Sequence, residues 1–419
     1  MMNLKTGRLT LATSIFAFLA VASAGTAAFA DCGVEKGRVA ILSNDFEALR
    51  VVAAAAKECA SDAVKVTANQ TAQHKNLQVP ALTTNPAEYT VAFVANNSIA
   101  PLLSAGLVRP MDDLLAKYGK DVQPNQLIKV DGKVVAIAFD ANSQHLFYRK
   151  DLLEKAGVQP PKTYEDVLAA AKALKDKGVL QYPLAAADKP GWDLGAEFVN
   201  IYLGEGGEFF EPGSAKLSIG NPKGEATLKL MKDLSAFMAP DFLSYDADEM
   251  KAVYMSGKVA MMDGWGSYAG SVIDPKGPNP DVAANTVLAA APTAGGGSIP
   301  SASLWWDGFA IAKNISDEDA EASFRVMMHA IRPEVAAAHA DAAPWLMKDF
   351  KPGATAVGVL ATARGGAKAY PMLPYMGLLH TALSNEIGDF LQGKKDAAKT
   401  LADVGAAYAA AAREGGFLK

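Results

Sequence analysis

The chain has 419 residues, half of them hydrophobic, with 40 basic against 45 acidic side chains and a formal net charge of −5. That length exceeds what a single hydrophobic core ordinarily sustains and predicts two domains or three. The acidic balance argues against a nucleic-acid-binding face, which needs clustered Lys and Arg, and five scattered histidines without paired-cysteine, HExxH or calcium-loop spacing give no metal site.

The chain opens with a short basic start (Lys5, Arg8), the apolar run "LTLATSIFAFLAVA" and the small-x-small pattern "AFA" at Ala28–Ala30. Residues 1–30 therefore read as a secretory signal peptide cut before Asp31. A retained anchor helix is the alternative, although the run falls short of the ~20 residues a span needs. No later segment is apolar enough to span a bilayer. The two cysteines, Cys32 and Cys59, read in an exported chain as a disulfide tying the mature N-terminus to the end of the helical stretch "FEALRVVAAAAKECA". Lipidation of Cys32, which Asp31 does not favour, and two buried thiols are the other readings.

From Arg38, "RVAILS", the helical stretch just quoted, "AVKVTA", a helical run through "NLQVPALTT" and "YTVAFVA" alternate strand-like and helix-like segments. That pattern predicts β-α-β units and a mostly parallel sheet, with ligands bound outside the carboxyl ends of the strands. Asn44 and Asp45, and then Asn96, Asn97 and Ser98, fall at such ends, where they can hold a ligand or cap the following helix. A hairpin-like "VDGK" follows, then a strand to Phe139, a polar break at Asp140–Ser143 and a second strand, "HLFYR". Thr163 with Asp166 three residues on is a capping box, and Gly178 ends that helix. Between Gln181 and Ala291 three helical runs and the strands "KVAMMDG" and "NTVLAAAP" indicate a second lobe. The loop "APTAGGGSIPSAS" leads back to "WWDGFAIAKN", a strand, and "DEDAEASFRVMMHAI", a helix; the tail from Ser384 is helical and alanine-rich.

No GxSxG elbow, Walker loop or dinucleotide fingerprint is present. A hydrolase with two separated carboxylates stays open on sequence grounds. What recurs is tryptophan beside aspartate at predicted loop or strand ends: Trp192 with Asp193, Trp265 with Asp263, and Trp305 and Trp306 with Asp307. A sugar offers apolar C–H faces and hydroxyl edges, so aromatic platforms with carboxylates at their rim suit it. Buried structural tryptophans beside turn-forming aspartates are the alternative.

The segments "AGLVRPMDDLLAKYG", "HLFYRKDLLEKAGVQPPKTYEDVLAAAKAL", "MSGKVAMMDGWGS", "GFAIAKNISDEDAEASF" and "YPMLPYM" occur in an order that resembles the extracellular solute-binding proteins of ABC importers, specifically their maltose-binding-protein-like, carbohydrate-binding class. The resemblance covers essentially the full length. It implies a periplasmic, non-catalytic monomer of α/β class with a periplasmic-binding-protein-like fold, without cofactor or metal, that takes a small carbohydrate to the transmembrane subunits of an ABC permease. It implies two lobes, 31–141 plus 308–355 and 142–307 plus 356–419, joined by a multi-strand hinge around a ligand cleft. Carried over by position, its ligand contacts fall on Asn44, Asp45, Asn96, Asn97, Ser98, Asn142, Trp192, Asp193, Asp263, Trp265, Trp305, Trp306, Asp307, Tyr375 and His380. Asn97, Asn142 and His380 depart from what maltodextrin binders place there, which leaves a smaller sugar, glycoside or polyol at least as well supported as a long glucose polymer. The same scaffold binding a non-sugar solute such as a polyamine, and a secreted glycoside hydrolase, are the rival readings.

Overall fold

The computed structural model describes residues 32–419; the expected signal peptide and its cleavage site lie outside these residues. Among the described residues, twelve strands form two sheets. Those of the first are β1 (Gly37–Ser43), β2 (Val64–Gln70), β3 (Val91–Ala95), β4 (Val108–Arg109), β5 (Leu127–Val130), β6 (Lys133–Asn142), β11 (Ser303–Ala312) and β12 (Lys368–Ala369). Those of the second are β7 (Gln144–Arg149), β8 (Leu184–Ala185), β9 (Met261–Trp265) and β10 (Thr286–Leu288).

The first sheet runs β2-β1-β3-β11-β6-β5, with β4 and β12 alongside β11; the second runs β10-β7-β9-β8. Only part of the first is parallel as expected. β1 pairs parallel with β2 and β3, but β11 lies antiparallel to both β3 and β6. The reason is connectivity: β11 re-enters the sheet from the second half of the molecule, so it needs no helical crossover to reach its neighbours. The hairpin at Asp131 and Gly132 closes β5 onto β6 with both residues at positive φ, 49° and 75°, the backbone of a two-residue type I′ turn.

Local capping follows the sequence closely in places. Thr163 Oγ1 accepts the Asp166 N–H at 3.1 Å, and Asp166 Oδ2 accepts the Thr163 N–H at 3.1 Å, opening the helix Tyr164–Asp176. The expected break at Asp140–Ser143 is shorter: β6 runs on to Asn142 and β7 starts at Gln144, leaving Ser143 between them. Pairing of Trp305 with Asn142, Trp306 with Ala141 and Asp307 with Asp140 keeps that segment in the ladder. The tail divides into helices Met376–Leu391 and Ala397–Glu414, the second capped by Asp396.

Two large cores sit on either side of this crossing. One draws on Val39–Phe139 and Phe309–Met347, the other on Leu146–Trp305 and Tyr370–Ala412. Cys32 and Cys59 form a disulfide with Cα atoms 5.6 Å apart, closing the first core's N-terminal edge. At the crossing the β11–β6 register shifts between Asp307 and Gly308. A Cβ at Gly308 would lie 2.5 Å from the Ile137 carbonyl oxygen, so only glycine allows the strands this close. Among the described residues, no helix is long and apolar enough to cross a membrane.

Candidate functional site

Side chains alternate along β11, and that alternation divides the two tryptophans. Trp305 is 8% exposed and packs in the second core, while Trp306 is half-buried against the first. The Trp305 ring lies edge-on to Trp192 and to Trp265, at 6.0 Å between centres in each case, and 4.3 Å from Tyr370. Trp192 and Trp265 are themselves half-buried. Four rings thus make one aromatic wall at the junction of the two cores, with open surface on its outer members.

A hydrogen-bonded chain behind the wall holds Trp305. Its indole N–H donates to Ser303 Oγ at 2.8 Å, and Ser303 Oγ and N–H both donate to Asn200 Oδ1, at 2.6 and 2.8 Å. The Asn200 amide donates to Gln144 Oε1, and Gln144 Nε2 donates to Glu197 Oε1 at 3.1 Å. Each buried polar group here has a partner, so the layer stabilises a unique ring orientation. Burial pushes the Glu197 carboxyl well up, reinforced by nearby Asp263 and Asp188.

Trp192 opens the helix Trp192–Gly204 and stacks flat on His380, 3.7 Å between ring centres at 9°. His380 is only 2% exposed, and burial lowers it to about 3, so the ring is neutral. Its Nε2–H donates to the Trp192 carbonyl at 2.8 Å and its Nδ1 accepts the Tyr370 hydroxyl at 3.1 Å. Gly195 permits this contact, since a Cβ there would lie 2.8 Å from the imidazole. His380, expected to touch ligand, instead backs Trp192.

Asp307 sits half-buried at the crossing. Its N–H donates to Asp140 Oδ1 at 3.2 Å, and Asp140 is 2% exposed. Burial and the adjacent Asp307 push the Asp140 carboxyl well up, and burial raises Asp307 to about 7. Asp263 Oδ2 accepts the Tyr164 hydroxyl at 2.8 Å, while its buried Oδ1 has no partner. Burial raises Asp263 to about 7. It lines a small pocket shared with Tyr164, Glu197 and Met261. Asp193 accepts the Ala247 N–H at 3.2 Å, and burial raises its carboxyl too.

From the first core, Lys75 on the helix His74–Thr83 reaches across: its Nζ stands 3.9 Å over the centre of the Trp192 ring. The residue as a whole is exposed, and the loss of water falls on its tip, lowering the ammonium to about 8 against the pull of Asp307 and Asp193. Sequence reasoning missed Lys75 and Tyr370. Lys75 follows the carboxyl end of β2, the position that singled out residues after β1 and β3, so that signal was present.

The remaining expected residues divide. Asn142 stays at the crossing, its Nδ2 donating to Ser267 Oγ at 3.4 Å. Asn97 is half-buried. Asn44 Oδ1 accepts the Asp45 N–H at 2.9 Å, and Asp45 pairs with Arg50 at 2.6 Å, at the end of β1 and without a contact to the wall. Asn96 is 2% exposed, with its amide committed to the backbone of Leu304, Trp306 and Tyr370. Ser98 Oγ accepts the Ala95 N–H at 2.9 Å. Both therefore spend their polar groups on backbone partners, because a small polar side chain at a strand end can satisfy backbone groups nearby. Tyr375 donates to the Ser214 carbonyl at 3.0 Å and packs on Phe210 and Phe417, away from the wall.

The family model described as bacterial extracellular solute-binding protein matches residues 42–329 of this chain. A probable ABC transporter-binding protein of Deinococcus radiodurans is 28% identical over 204 residues, 46% of this chain and 46% of that protein. The chain thus spans about half the length of the curated relative it matches. Among solved structures, the maltose-bound MalE3 of T. maritima superposes with a TM-score of 0.74 at 18% identity, covering 88% of this chain and 98% of that one. An ABC transporter solute-binding protein from Agrobacterium radiobacter K84 in complex with ribitol gives 0.75 at 21% identity, covering 88% and 97%. At these identities the two likenesses establish the fold.

Proposed function

The chain belongs to the bacterial extracellular solute-binding proteins, and on that premise we propose that it is the periplasmic substrate-binding component of an ABC transporter, capturing a mono- or oligosaccharide, glycoside or sugar alcohol without chemical conversion. The wall of Trp192, Trp265, Trp305 and Tyr370 facing Lys75 and Asp307 is the observation that carries this reading. Indole faces take the C–H side of a polyol, and carboxyl groups at the rim take its hydroxyls. The sugar and the sugar alcohol held by the two structural relatives point the same way.

In this reading the lobes are 31–141 plus 308–355 and 142–307 plus 356–419, and β6–β7 and β11 form the hinge. The two cores, which meet at those strands, support the division. A ligand that touches both lobes shifts the open-closed equilibrium by its preference for the closed form. The closed monomer then delivers its load to the permease.

A thermal-shift screen of residues 31–419 against monosaccharides, disaccharides, polyols and glycosides tests this. A ligand at a hundred times its dissociation constant adds ~2.7 kcal/mol of stability. A shift with one chemical group of compounds is the expected result; shifts only with polyamines or other non-sugar solutes would refute the carbohydrate assignment.

A further inference from the structure

Trp192 has two faces. His380 fills one, stacked 3.7 Å away. An ammonium 3.9 Å over the ring centre has room only on the other, and that is where Lys75 Nζ stands. The separation equals the ~4 Å at which a sugar's carbon face would rest on an indole. Ligand and ammonium therefore compete for one place.

We propose that Lys75 is a specificity-determining residue of the cleft: a ligand reaches the Trp192 platform by displacing the Lys75 ammonium, which favours neutral polyhydroxy ligands over cationic amino sugars. The inference rests on the carbohydrate reading above. A neutral ligand has only to displace the ammonium from the ring face. An amino sugar brings a second positive charge to the same few ångströms.

The surroundings fit a charge that is held but not locked. Asp307 on β11 and Asp193 beside Trp192 attract the ammonium, while the loss of water around it lowers it to about 8. His74 on its own helix and His380 across the ring are held neutral by burial, at about 4 and about 3. Asp140 faces Asp307, and burial pushes both carboxyls up. The ammonium is thus charged at neutral pH and discharges a little above it.

The test compares the mature chain with its Lys75→Ala variant, using ribitol, maltose and glucosamine as probes. Without any probe, the tryptophan fluorescence of the wild type is expected to change with a midpoint near pH 8, and the variant to lack that step. In calorimetric titrations at pH 7, whichever neutral probe binds is expected to bind the variant about fivefold more tightly, the size of a solvent-exposed cation–π contact. Glucosamine is expected to gain more than the neutral probe, and wild-type affinity to approach that of the variant as the pH passes 8. Equal or weaker binding by Lys75→Ala, or a fluorescence step that persists in it, would overturn the proposal. If no probe binds either protein while the step behaves as described, the carbohydrate reading and the competition fall together, and the Lys75–Trp192 contact alone stands.

Discussion

Three tryptophans and a tyrosine approach the junction from the second core, with a hydrogen-bonded layer behind them. The first core meets them with Lys75 and the carboxyl pair of Asp140 and Asp307. The second side is ring surface whose orientation is set by packing; the first is polar, and its reach depends on a flexible lysine stem. A stacking platform must be rigid to act without an entropy cost, whereas hydrogen-bonding groups can adapt to different hydroxyl patterns. The division of labour predicts affinity from the aromatic side and discrimination from the polar side.

Substitutions that strike one side alone can break that comparison. Trp305→Ala removes the centre of the wall and a buried ring, and should cost about 3–5 kcal/mol of unfolding free energy in denaturant titration. A loss below about 1 kcal/mol would mean the ring is peripheral to the second core. Cys59→Ala opens the disulfide at the far edge of the first core and should cost ~3 kcal/mol. It should leave sugar affinity unchanged, and a large change in affinity would show that the first side is not independent of its N-terminal edge.

Trp192→Ala should weaken binding of a sugar ligand at least tenfold, ~1.4 kcal/mol, and His380→Ala should weaken it less, since the imidazole acts only by positioning the indole. Equal losses would place His380 on the ligand itself. An effect read against pH rather than ligand concerns Asp188, a buried carboxyl near Glu197 raised to about 7 by burial. Its folded value lies above the unfolded 3.8, so native stability falls as pH rises from about 4 to about 7 and is flat beyond. Asp188→Asn should therefore match the wild type below pH 4 and melt higher above pH 7. A constant difference across that range would contradict the assignment.

Much of this architecture was legible in the chain. Alternating strand and helix runs placed β1 to β3, and the Thr163–Asp166 box placed a helix start, because both depend on local periodicity and capping. Repeated tryptophan–aspartate neighbours pointed to the wall, yet each aspartate turned out to serve a different partner: Ala247 N–H for Asp193, Tyr164 for Asp263, Asp140 for Asp307. Tyr370 was missed because it joins the site only through tertiary placement, whereas Lys75, just past the carboxyl end of β2, carried a positional signal that went unused. Asn96 was misread for the converse reason: nothing local reveals that its amide spans the backbone of two distant segments.

The most direct test of the central claim is calorimetric titration of the wild type and Trp265→Ala with ribitol and maltose, with each melting temperature recorded in the absence of sugar. The half-buried Trp265 ring can be removed with less damage to the core than Trp305. The account predicts that the wild type binds at least one of these and that Trp265→Ala binds it at least tenfold more weakly, about 1.4 kcal/mol, while melting close to the wild type. Binding to neither compound, or equal binding by the two proteins, would contradict an aromatic wall that holds a carbohydrate.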